Sequence, residues 1–180
     1  LLTCVDLCDD VSVKLDKSGK VEVCFANCNQ IENNSAKKAA EAFKKKFALD
    51  CGIKVKIVKN IPFGGGLGGS SADAAAVLRA LNRHYGAPLS LPALCELGGT
   101  VGSDVPYCVT GGMMLAEGRG EILSPLPELP GGWIVICKPP FSVSTAELFG
   151  RIDKRRITAH PDTQGLCAAL HAGDLCGVAR

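Results

Sequence analysis

Aromatic side chains are scarce in this sequence, at 5% of its 180 residues. That is too few for the stacking platforms that bind single-stranded nucleic acid. No charge of one sign dominates either: twenty Lys and Arg against eighteen Asp and Glu leave a formal +2. A basic nucleic-acid footprint is therefore not expected. No apolar run reaches the length of a bilayer span, so no membrane partner is expected. The opening LLTCVDLCDD has no initiator Met and no basic start of a signal peptide; a cytoplasmic location is the expectation, with the plastid stroma as the alternative. The ten cysteines include no C-x-x-C pair. Most sit inside apolar runs such as VEVCFA and WIVICKP, where a thiol behaves as a small hydrophobe. Buried, reduced thiols are the first reading, and a zinc or redox site at CVDLC and CFANC the competing one.

Against this ordinary soluble composition, one stretch stands out: IPFGGGLGGSSADAAAVLRALN, residues 61–82. Five of the six residues from Gly64 to Gly69 are glycine. Glycine loses more freedom on folding than any other residue, so the run needs a reason. GIKVKIVKNIP before it, residues 52–62, alternates as a strand ending at Pro62, and SADAAAVLRALNRHYG after it reads as a helix. A strand, a glycine loop and a helix N-terminus form an anion site, with free N–H groups and the positive end of the helix dipole facing a ligand. A tight turn is the bland alternative, but one glycine suffices for that. The loop lacks the lysine of a P-loop. Gly64, Gly66 and Gly69 match G-x-G-x-x-G, but the second strand with an acidic end that a dinucleotide fold requires does not follow.

Elsewhere, DVSVKL and KVEVCF alternate around DKSG and predict a hairpin. Ala36, Ala39, Ala40, Phe43 and Phe47 form a helical stripe capped by Asn34 or Ser35, and the lysines on its other face read as solvated. SLPALCELGGTVG is a shorter helix capped by Ser90 with Pro92 in its first turn. YCVT and MMLAEG read as strand-like, PLPELPGG as a connector and WIVICKP as a buried strand. SVSTAELFGRID is a helix start capped by Ser144 or Thr145, and the last residues are a helix followed by the start of another.

PFGGGLGGSSADAAAVL resembles the P-x-x-x-G-L-G-S-S-A loop of the GHMP small-molecule kinases, which act on galactose, homoserine, mevalonate and related alcohols. VGSDVPYCVTGGMMLAEGRGE resembles their G-A-D-V-P-F segment with its A-x-G-x-G-E continuation, KPPFSVSTAELF their P-x-x-x-V-S-T-A segment, and ENN at 32–34 an E-D-N-L segment. The match is best with the branch that phosphorylates the 2-hydroxyl of 4-diphosphocytidyl-2-C-methyl-D-erythritol in the non-mevalonate isoprenoid route. The resemblance implies an α+β GHMP-kinase fold. Residues 1–139 would form an N-terminal ATP-binding lobe resembling ribosomal protein S5 domain 2-like folds, and 140–180 the start of a C-terminal lobe.

By the same resemblance, Pro62, Gly64, Gly65, Gly66, Leu67, Gly68, Gly69, Ser70 and Ser71 hold the phosphates of ATP, accompanied by Mg²⁺. For the serines, N-capping is the plain alternative. Asn34 and Lys59 match adenine contacts, though Asn34 also suits a helix cap and Lys59 a solvated strand end. Asp104 matches the catalytic base, where sequence alone suggests a turn or cap residue. Thr145 and Phe149 match substrate contacts. Asp73 is expected to point away from the phosphates and support the helix dipole, the other choice being a Mg²⁺ ligand. The P-A-K-x-N strand and G-Y-H segment with which the family opens are absent here, as is its second glycine-rich loop. The resemblance thus implies a fragment of a longer kinase, with a non-catalytic nucleotide-binding module as the alternative.

Overall fold

The computed structural model describes residues 1–31, 34–118, 120–129, 132–139, 141, 145–152, 158 and 160–178. Its centre is a three-stranded sheet of β1 (Asp10–Asp16), β2 (Val21–Phe25) and β3 (Gly52–Val58), in the order β1-β3-β2. β3 lies in the middle, antiparallel to β1 with Val13 opposite Val55, and parallel to β2 with Val23 opposite Val55. β1 and β2 are therefore not the expected hairpin. Alternation tells which face a residue occupies, not which strand lies next to it. At the turn, Ser18 N–H donates to the Asp16 carboxylate (2.8 Å) and Lys20 N–H to the Ser18 hydroxyl (3.2 Å). β3 enters between the two arms, its Ile53 N–H donating to Lys20 C=O at 2.8 Å. A Cβ on Gly52 would run into the Asp16 carboxylate and the Ser18 hydroxyl, so glycine is what lets the third strand insert there.

One face of the sheet is covered. Ile53, Val55 and Ile57 of β3 are buried, while Lys54 and Lys56 point to water. Against that face pack α1 (Ser35–Lys46) through Ala36, Ala39, Ala40 and Phe43, and α2 (Gly69–His84) through Ala74, Val77, Leu78 and Leu81. Asn34 caps α1, as the sequence suggests: its Oδ1 accepts from Lys37 N–H at 2.9 Å. The lysine face of α1 is not wholly solvated, because Lys44 donates to the carbonyls of Gly19 and Cys51, closing the helix onto the turn.

Next come α3 (Leu91–Gly99), capped by Ser90, and α4 (Val105–Thr110). YCVT is thus helical rather than a strand. Pro106 sits in the first turn of α4, where its missing N–H costs nothing, and Val105 packs into the core beside Leu94. β4 (Met114–Glu117) and β5 (Ile122–Pro125) form a separate antiparallel pair, and Leu2 joins it by mutual backbone bonds with Met114. α5 (Thr145–Ile152), α6 (Thr163–Ala172) and α7 (Leu175–Val178) complete the helices among the described residues. Ser144, one of two expected α5 caps, lies outside the described residues.

WIVICKP is not a buried strand: residues 132–139 have no regular structure, and Trp133 and Val135 are 101% and 92% exposed. A strand needs a neighbour to take its backbone hydrogen bonds, and among the described residues this segment has none. The cysteines also differ from expectation. All ten are free and none is fully buried. Cys24, for instance, falls on the solvent side of β2, where alternation buries Phe25 instead.

Candidate active site

The glycine run forms a loop between β3 and α2 along one wall of a cavity of about 970 Å³, a size suited to a cofactor. Every residue from 62 to 71 lines it, and Asn34, Lys59, Asp73, Asp104 and Lys138 complete the parts used below. The predicted site residues Asn34, Lys59, Pro62, Gly64–Gly69, Ser70, Ser71 and Asp104 therefore meet around one space, although they span seventy positions. Thr145 opens α5 and Phe149 lies within it; their side chains are outside the described residues, as are Glu32 and Asn33 of the ENN segment.

The loop backbone turns through three left-handed glycines: Gly64, Gly66 and Gly68 have φ of 62°, 69° and 66°. Side chains adopt this region only at a cost, so these three positions need glycine for conformation. Gly68 is also the N-cap of α2, and no side chain caps that helix. The serines are thus not N-caps: Ser70 and Ser71 are inside the first turn. The Ser70 hydroxyl meets that of Ser35 at 3.1 Å, tying the starts of α1 and α2 together. Gly68 C=O accepts from Ser71 N–H and Ala72 N–H at 2.9 Å each. Helix geometry leaves the N–H groups of Gly69 and Ser70 without intrahelical acceptors, beside the positive end of the dipole.

Beneath the loop is a buried trio. The Lys59 ammonium donates to Asp73 Oδ2 at 2.8 Å and to Asp9 Oδ2, and each of the three side chains is at most 5% exposed. Asp9 Oδ1 accepts from Asn60 N–H (2.6 Å) and Ile61 N–H (2.8 Å). The lysine side chain thereby clasps the last residues before the loop to the helix after it. Lys59 is no solvated strand end. Its backbone is fixed too, since its N–H and C=O bond the Asn27 amide at 2.8 Å each.

Asp73 also departs from expectation. α2 starts at Gly69, so Asp73 is beyond the first turn, and its carboxylate turns inward to Lys59 rather than supporting the dipole. Burial pushes its pKa up to about 6, against the opposing pull of Lys59, and Asp73 Oδ1 has no hydrogen-bond partner among the described residues. Burial acts upward on Asp9 as well. There Lys59 and two backbone N–H groups more than offset it, and the Asp9 pKa lies below the usual value. Lys59 is disfavoured as a cation by burial, but its two carboxylates prevail and raise its pKa. The sequence signal for Asp9 was an acidic residue at a strand start, fifty positions from its lysine, and nothing local announces such a partnership.

Asp104 occupies the N-cap position of α4, yet its side chain makes no cap hydrogen bond. The carboxylate is exposed, lies on the cavity wall and, among the described residues, accepts only a long bond from the Ser103 hydroxyl at 3.4 Å. A Cβ at Gly120, in the β4–β5 turn, would stand 3.7 Å from Asp104 Oδ1. The site thus places a chain of N–H donors and a carboxylate that is not engaged in capping around the same space. Among the described residues no group of three or more His, Cys, Asp or Glu side chains forms a metal cage.

Residues 34–112 match the family described as GHMP kinases N terminal domain. A curated protein from Geobacillus kaustophilus, 4-diphosphocytidyl-2-C-methyl-D-erythritol kinase, is 38% identical over 183 residues, covering 100% of this chain and 63% of that protein. The chain thus spans about 63% of the length of this curated relative. A crystal structure of 4-(cytidine 5'-diphospho)-2C-methyl-D-erythritol kinase superposes with a TM-score of 0.69 at 30% identity, covering 93% of this chain and 60% of that one. Homoserine kinase from Cytophaga hutchinsonii shares the fold, with a TM-score of 0.67 at 20% identity over 92% of this chain and 59% of that one.

Proposed function

We propose that this chain is a GHMP kinase whose cavity binds ATP and directs phosphoryl transfer to the 2-hydroxyl of 4-diphosphocytidyl-2-C-methyl-D-erythritol. The observation that carries this reading is the juxtaposition of the glycine loop with the uncapped Asp104 carboxylate on one cavity. The family and the relatives' names support the choice of substrate.

ATP fits the residues present. The space around the Cβ positions of Gly66 and Gly68 is empty, so a phosphate chain can lie directly on the backbone. The N–H groups of Gly69 and Ser70 and the Ser71 hydroxyl would hold its oxygens. Mg²⁺ would be carried largely by the phosphates themselves, as this ion keeps few protein ligands in kinase sites. When bound, the Mg²⁺ nucleotide supplies the phosphoryl group and part of the charge neutralisation. Asn34 lines the cavity and keeps one amide N–H and one oxygen lone pair beyond its capping bonds, and these would meet an adenine edge. The Lys59 ammonium is already held by two carboxylates, so we read its contribution as holding the loop in place. Asp104 would orient the acceptor hydroxyl and take its proton as the new P–O bond forms. Residues 1–139 would form the nucleotide lobe and 140–180 the beginning of the second, with Thr145 and Phe149 on the substrate side.

Incubation with ATP, Mg²⁺ and the diphosphocytidyl alcohol, read by mass spectrometry, should yield ADP and the singly phosphorylated alcohol. Asp104→Asn should lower that rate by about 10²–10⁴-fold. Phosphorylation of homoserine or mevalonate alone would overturn the substrate assignment. ATP binding with no product, indifferent to Asp104→Asn, would leave a nucleotide-binding module.

A further inference from the structure

The described wall of the cavity carries two lysines in opposite electrical situations. Lys59 lies between Asp9 and Asp73, two carboxylates for one ammonium, so this trio presents no net positive charge to a ligand. Lys138 lies on the irregular segment 132–139 and has no ion pair or hydrogen bond among the described residues.

The loop makes room for each of them at a glycine. Gly65 and Gly69 lie outside the left-handed region that Gly64, Gly66 and Gly68 adopt, so conformation does not explain the missing side chain. A Cβ on Gly69 would stand 2.9 Å from Ile61 Cγ2 and 3.4 Å from Lys59 Nζ. A Cβ on Gly65 would stand 3.3 Å from Lys138 Cγ. Three glycines serve the turn, and two admit side chains that lie against it.

A polyphosphate on this loop brings several negative charges. The end of α2 offers about half a positive charge. The loop itself contains no lysine, and Asp104 and Asp73 add negative charge to the same cavity. Among the described residues of the cavity wall, Lys138 is the cation that no carboxylate holds. We propose that Lys138 contributes a cation to the phosphates of a nucleoside di- or triphosphate held on the glycine loop. The inference rests on the ATP-site reading above and adds a residue that the motif around Gly64–Ser71 does not contain.

The test is equilibrium binding of ATP, ADP, adenosine and inorganic tripolyphosphate to the chain and to its Lys138→Met and Lys138→Arg variants. Lys138→Met should weaken ATP binding by about 10- to 100-fold, the worth of one charge-assisted contact. It should leave adenosine affinity and the thermal midpoint unchanged, and it should flatten the salt dependence of ATP binding. Lys138→Arg should recover most of the loss. Equal ATP affinity in Lys138→Met, or equal losses for ATP and adenosine, would overturn the assignment. If the unmodified chain binds tripolyphosphate but no adenosine, and Lys138→Met loses the tripolyphosphate, the lysine stands and the ATP reading falls. If the unmodified chain binds neither, both fall.

Discussion

Two apolar stretches of this chain, GIKVKIV at 52–58 and WIVICKP at 133–139, have opposite fates. The first is β3, the central strand, paired on both edges and covered on one face by two helices. The second runs exposed, with Trp133 and Val135 almost wholly in water. Their residues are similar in hydrophobicity and β-propensity. What differs is the supply of neighbours: β1 and β2 offer backbone partners to the first, and α1 and α2 offer a roof. Apolar character makes a segment able to be a strand, and the surrounding elements decide whether it becomes one.

The contrast is sharpest where charge is buried in the body of the molecule. Lys59→Met would leave Asp9 and Asp73 together without their cation, and it should cost about 3–5 kcal/mol by urea unfolding. A loss near zero would mean that the trio is open to water in solution. Leu78→Ala, in the core against β3, should cost about 2–5 kcal/mol.

A smaller effect is tied to pH. Asp73 holds its proton more tightly in the folded chain, at about 6 against 3.8. Its contribution to stability is therefore complete below about pH 4 and is lost as pH rises through 6. Asp73→Asn removes this dependence. The stability of the unmodified chain relative to the variant should fall by about 1–3 kcal/mol between pH 4.5 and 7.5 in urea melts. A constant difference would place Asp73 in water. At the other extreme, Val135→Ser should change stability by no more than about 0.5 kcal/mol. A cost like that of Leu78→Ala would erase the contrast between the two stretches.

The helices were legible because their signals are local. Asn34 and Ser90 cap where capping residues belong, and Ala36, Ala39, Ala40 and Phe43 recur at helical spacing. The sheet order was not legible, since alternation in DVSVKL and KVEVCF says nothing of the strand that comes between them. YCVT misled by its β-favouring residues, although Pro106 in a first turn already suited a helix. Around the cavity, the loop and Asp104 were visible through motifs. Asp9 and Lys138 were not, because each reaches the loop from a distant part of the chain and neither carries a pattern of its own.

The sequence contains a single tryptophan, Trp133, and it sits on the uncovered segment. The body of the protein is thus dark to tryptophan emission. Fluorescence should start red-shifted and change little as urea melts the sheet, while circular dichroism reports the transition. The same placement turns Trp133 into a local lamp five residues from Lys138: a nucleotide that changes the surroundings of this segment would announce itself as a shift in emission, without any added dye.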